Sequence, residues 1–313
     1  MKHSKFSLAD DLTLLAALSF GYVCFLGANF FTLGNTKQSI ILAVIIAVLL
    51  EGLAFGVKLL KRTSRNFKSC FIWEIVLLAA FVGLAFIFAN SPFPHYFTVS
   101  GKKAEIQSKL LASITQAENM FDEYESYAEN RKSIYKSKLR SVAAAKNVNP
   151  KEYAKCFENN GVADETQIEN KIFAVNANLF PSNYEAMQEV DSKWLADARR
   201  TVESWKPIGI VAVVNEVEKN SKKWLGELQS FSSVRGKDEQ AEDFAYPLSF
   251  DDVKTAFTTL GKPTPLTIGL AALAYVLMLL SWFFSERDTK SSYSFRDLFS
   301  KKRKDKGKYD VNQ

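Results

Sequence analysis

Two carboxylates stand where a carboxylate is costly. Glu51 and Glu74 lie inside runs that are otherwise almost wholly apolar. A charge deep in a bilayer costs several kcal/mol, so such a group faces protein or water, or takes up a proton. Glu51 sits two-thirds along its run and Glu74 one turn into the next. With a rise of about 1.5 Å per residue, they come within roughly 10 Å of the same depth. A shared polar pocket is therefore conceivable, serving as a proton or cation site or as a polar lock between helices. Lys58, two turns from Glu51 on the same face, is placed to snorkel past it. A conduction path needs several aligned polar groups, and Cys24, Asn29 and Thr32 in the first run do not complete one. The lock is the favoured reading. Gly52 and Gly56, beside Glu51, form a G-x-x-x-G spacing that lets another helix approach closely.

Other chemistry is sparse. The only histidines, His3 and His95, are expected on opposite sides of a membrane and cannot share a site. There is no nucleophile elbow, H-E-x-x-H, C-x-x-C, Walker A or G-x-G-x-x-G motif. No catalytic residue, metal site or cofactor is expected, and the chain is read as non-enzymatic. Cys24, Cys70 and Cys156 are the three cysteines, with Cys156 alone in the polar region, so that region must hold together without an internal disulfide.

The elements that would position Glu51 and Glu74 are transmembrane helices. A bilayer core about 30 Å thick needs roughly 20 apolar residues of helix. Four stretches qualify, over about 12–33, 39–60, 70–90 and 266–285. The first is read as a retained helix and not a signal peptide, because Asp10 and Asp11 occupy the place of the usual basic residues. Basic residues set the orientation. Lys61, Arg62, Arg65 and Lys68 fill the 61–69 loop, and Lys301, Lys302, Arg303 and Lys304 lie in the 286–313 tail. Both segments, with the 1–11 N-terminus, are expected in the cytoplasm. Region 91–265 is then periplasmic or extracellular. It carries a net charge of -2 against +8 for the remainder, which is a topology pattern and not a nucleic-acid footprint.

Region 91–265 reads as helical throughout. Asn90-Ser91-Pro92-Phe93-Pro94-His95 is a stop signal. A long helix is then expected over about 102–146, continuing the line of the third span, with a near-heptad seam from Ile106 to Val142 interrupted by Arg131. Asn149-Pro150 caps a short helix and another is expected over 164–176. Ser182 and Glu185 match a capping box for a helix whose face carries Met187, Val190, Trp194, Ala198, Val202 and Trp205. Pro207 and Gly209 should break that helix before a further stripe from Val211 to Phe231.

The expected fold is all-α: a four-span transmembrane protein with a large extracytoplasmic helical bundle, coiled-coil-like, between spans three and four. The bacterial inner membrane is the expected location, since region 91–265 has no N-glycosylation sequon. The expected role is that of a sensor or scaffold subunit of a membrane complex, with the lipid bilayer and either a protein partner or further copies of itself as partners. The alternative is a channel or transporter component using Glu51.

Overall fold

The computed structural model describes residues 7–62 and 67–287, and among them every regular element is helical. α1 (Leu8–Phe31), α2 (Thr36–Lys61) and the helical run that starts in α3 (Phe67–Asn90) are long and apolar enough to cross a bilayer. The first two are joined by a tight turn in which Leu33 and Gly34 adopt φ of 51° and 85°. Asn35 then caps α2 by accepting from the Gln38 N–H at 3.1 Å. Beyond α3 the helix does not run on. It stops at Ser91–Pro92, restarts as α4 (Phe93–Gly101), and stops again at Lys102. Pro92 and Pro94 each lack the N–H that would continue the ladder, and the first turn of a helix is the place that tolerates this. The stop expected at 90–95 and the long helix expected from about 102 are both present, with the short α4 between them.

The chain divides into two compact units, residues 1–98 with 260–313, and residues 99–259. The second is built on α5 (Lys103–Ala144), followed by α6 (Pro150–Cys156), α7 (Asp164–Leu179), α8 (Tyr184–Ser204), α9 (Ile210–Ser233) and α10 (Asp251–Thr258). α5 packs against all five of the others and so serves as a central post. Its buried stripe runs from Ile106 through Leu110, Ile114, Ala117, Phe121, Tyr124, Ala128 and Arg131 to Tyr135 and Leu139. Val142, expected in the seam, is only half-buried. The stripe moves on to Leu139 because a 3.6-residue turn drifts against a strict seven-residue repeat.

One local expectation shifts. α8 begins after Asn183, and no side chain caps it, so the Ser182–Glu185 box is not used. The Tyr184 N–H bonds the Pro181 carbonyl at 2.8 Å, which moves the start one residue on. α8 and α9 are parted as expected: Trp205 and Gly209 both adopt positive φ, at 40° and 104°. Within Ile208–Val214, whose β-branched residues also suit a strand, residues 210–214 form the start of α9.

The first unit is completed by α11 (Pro265–Met278) and α12 (Leu280–Phe284), parted at Leu279. The apolar stretch expected as one span over 266–285 is thus two pieces, of 14 and 5 residues. No Pro or Gly causes the break. The Thr13 hydroxyl of α1 sits between the Ser281 N–H, at 3.3 Å, and the Leu277 carbonyl, at 3.4 Å. These two groups would otherwise bond each other, and an inserted side chain is a standard cause of a kink. Packing in this unit is tight at α1. A Cβ on Gly27 would lie 2.2 Å from the Pro92 carbonyl oxygen, and one on Gly21 would lie 3.1 Å from Ala47 Cβ. Phe20 stacks on Phe93 at 4.5 Å, and the Tyr275 hydroxyl donates to the Ala85 carbonyl at 2.8 Å.

Candidate functional site

Charged side chains gather at one end of the first unit, where α1 and α3 begin and α2 ends. Asp10 is the hub. Its Oδ2 accepts from the Ser7 backbone N–H at 2.9 Å and the Ser7 hydroxyl at 3.0 Å, forming the first-turn contacts of α1. Its Oδ1 accepts from Lys58 Nζ of α2 and from the Ser281 hydroxyl of α12. Lys58 is buried and Asp10 partly so. Lys58 therefore does not snorkel to water but pairs across helices. Burying an ion pair is favourable only when the remaining lone pairs and protons also find partners. On the Asp10 side, four donors meet that condition.

A second cluster surrounds Glu74 of α3, which is buried. Its Oε1 accepts from Trp282 Nε1 at 2.9 Å and from Arg287 Nη2 at 2.8 Å. Lys61 Nζ donates to the Trp282 carbonyl at 2.7 Å and lies 5.0 Å from the centre of the Trp282 ring. It thereby caps the C-terminal end of α12, where exposed carbonyls favour a cation. The two clusters together join α1, α2, α3 and α12.

Glu51 and Glu74 do not share partners. Glu51 is half-buried within electrostatic reach of Asp10 and Lys58, and its Oε2 has no hydrogen-bond partner. Within the chain, Gly56 lies against Leu77 of α3, where a Cβ would come to 3.1 Å, whereas Gly52 faces no atom within 4 Å. Arg62 is exposed. Arg65, the Lys68 side chain, Lys301, Lys302, Arg303, Lys304 and His3 lie outside the described residues. His95 is buried, its ring edge-on to Phe31 at 5.9 Å.

Sequence reasoning missed Asp10, Ser281 and Arg287 as partners. A signal existed: Asp10 and Asp11 are acids at the start of an apolar run, and Lys58 is a base near the end of the next. Antiparallel neighbours bring those ends together.

The 99–259 unit has its own polar centre. Arg131, expected to interrupt the α5 seam, is buried within it. It donates from Nε to Glu239 at 2.6 Å, from Nη1 to the Ser232 carbonyl, and from Nη2 to the Val234 carbonyl at 2.7 Å. Glu239 in turn accepts from the Gly236 N–H at 3.1 Å. Beside this network lies a groove of about 670 Å³ between Tyr127, Asn130 and Ile134 of α5 and the 235–242 segment.

Chemically, the Asp10 carboxylate is already saturated by donors and is a poor base toward Ser281. Among the described residues no three His, Cys, Asp or Glu side chains are grouped to hold a metal ion. Comparison with protein-family models, curated proteins and solved structures finds no match.

Proposed function

We propose that the chain is a non-enzymatic, four-span membrane protein whose anchored bundle displays the 99–259 helical unit outside the cytoplasm, where that unit binds a protein partner as a sensor or scaffold. The observation that carries this reading is the pair of polar clusters. Asp10 with Lys58 and Ser281, and Glu74 with Trp282 and Arg287, engage one another across helices instead of lining a path. Charge paired in this way at the end of the spans locks a bundle together, whereas conduction needs polar groups left open to an ion. The fourth span is α11 with α12, whose helical path over 265–284 matches the roughly 20 residues a bilayer requires. Four crossings and the basic flanks then put the N-terminus, the 61–69 loop and the 286–313 tail in the cytoplasm of a bacterial inner-membrane protein.

A second reading keeps one observation of its own. Glu51 and Glu74 each have a buried carboxylate oxygen with no hydrogen-bond partner, and Glu51 lies beside Asp10 and Lys58, as a proton-binding group would. The two readings separate on Glu51→Gln. With full-length protein in vesicles containing a trapped pH dye, the anchor reading expects no protein-dependent proton leak, in wild type or variant alike. A leak carried by the wild type and abolished by Glu51→Gln would replace the anchor reading with transport.

A further inference from the structure

At the end of the first unit opposite the charged clusters, a crevice of about 230 Å³ lies where α1, α2 and α3 meet the Ser91–Pro92 turn. Its floor is Ala28 and Ile46, both buried, and Phe88. Its lip is Phe31, Leu42 and Ile87, which are 48 %, 40 % and 57 % exposed. Three of its ten lining residues are polar: Thr32, Ser91 and the buried His95. A volume of this size equals several waters at about 30 Å³ each, and each water needs two to four polar partners. With seven of the ten lining residues apolar, the walls cannot hydrogen-bond that many waters. An empty crevice would forfeit dispersion contacts along its whole lining.

We infer that this crevice is a lipid-chain site, holding one acyl chain of a bilayer phospholipid against Ala28, Ile46 and Phe88. The inference rests on the membrane reading above. The walls come from the three runs long and apolar enough to cross a bilayer, and the lip is apolar and uncovered, so the medium that meets it is hydrocarbon. The crevice also lies near span ends. Thr32 follows the last residue of α1 and Ser91 the last of α3. Ser91 is exposed, so a chain can thread inward while its headgroup stays at the interfacial level. Beside the crevice, the Pro92 backbone packs directly on Gly27 of α1, where a Cβ would lie 2.2 Å from the Pro92 carbonyl oxygen.

The test is native mass spectrometry of the full-length protein in detergent, titrated with palmitoyl-oleoyl phosphatidylglycerol and, separately, palmitoyl-oleoyl phosphatidylcholine. Wild type is expected to retain one lipid with either headgroup. Ala28→Leu fills the floor and Ile87→Trp plugs the lip from an exposed position, so the second variant reports even if the first misfolds. Each is expected to weaken retention about tenfold, the effect of excluding roughly two methylenes. Ala79→Leu, on the exposed side of α3, is expected to change nothing. Equal retention by wild type and Ile87→Trp would overturn the site. Retention of only one of the two lipids would overturn the chain in favour of a headgroup as what is recognised. Release of the protein from membranes by alkaline carbonate would overturn the membrane reading, and this inference with it.

Discussion

Single residues carry the clearest energetic consequences in the 99–259 unit. Asp191 is buried on α8, and its Oδ2 has no hydrogen-bond partner. Burial, reinforced by Glu227, raises its pKa to about 6, with Lys223 and Trp224 pulling the other way. An acid whose folded pKa lies above its unfolded value binds protons more tightly when folded. The contribution of this group is therefore most favourable below about pH 4, falls as pH rises from about 4 to about 6, and stays at its lowest above that. Asp191→Asn removes the penalty. Urea unfolding followed by Trp fluorescence should show the variant more stable by about 1–3 kcal/mol at pH 7, with the gap closing near pH 4. A constant gap across that range would refute the assignment. Asp191 was not legible in the sequence because hydrophobicity alone favours its neighbour. Val190 was expected on the inner face, yet it is 65 % exposed while Asp191 is buried. The buried positions Tyr184, Asp191, Leu195, Ala198 and Val202 follow the helical period once a polar residue is admitted to it. Arg131 follows the same logic. Its place in the α5 register was legible, but its partners come from a segment about a hundred residues away and were not. Arg131→Met leaves Glu239 charged and buried, and should cost about 3–5 kcal/mol in the same measurement. Adding Glu239→Leu should restore much of that loss, since it removes the stranded charge.

At the scale of elements, glycine separates what a pattern suggests from what packing uses. The G-x-x-x-G motif at Gly52 and Gly56 was conspicuous, whereas Gly27 was not. Inside the chain a Cβ at Gly27 meets a backbone carbonyl, which cannot rotate away, one at Gly56 meets the Leu77 side chain, and one at Gly52 meets open space. Gly27→Leu should lower stability by about 3 kcal/mol or more, read as a fall in melting temperature in detergent. Gly52→Leu should leave that temperature nearly unchanged or raise it slightly through better helix propensity. If Gly52 serves contact between copies, its effect will appear instead as lost cross-linked dimer. The kink at Leu279 shows why the last apolar stretch was harder to read than the first three. Its composition announces a span, but its geometry is set by Thr13, a residue of a different helix far away in sequence. Periodicity within a segment carries no record of a hydroxyl inserted from outside it.

For the whole molecule, the two compact units correspond to two kinds of sequence, one apolar with basic flanks and one of ordinary polar composition. That contrast was legible in composition and period: apolar runs of span length in one unit, amphipathic helices in the other. Orientation follows from another physical source, the energetics of translocating Lys and Arg, and therefore calls for its own measurement. Cys156 is a poor reporter of side, because it is buried in the α6 region and an impermeant reagent would not reach it from either direction. Val148 is 88 % exposed in the stretch just before α6 and offers a better position. In intact spheroplasts, Val148→Cys should react with a membrane-impermeant maleimide without permeabilisation, while wild type stays largely unlabelled. Labelling of Val148→Cys only after the membrane is opened would place the 99–259 unit in the cytoplasm. The basic flanks would then lie on the wrong side, and an external partner for this unit would have to be abandoned even if the Asp10–Lys58 and Glu74–Arg287 locks remained as described.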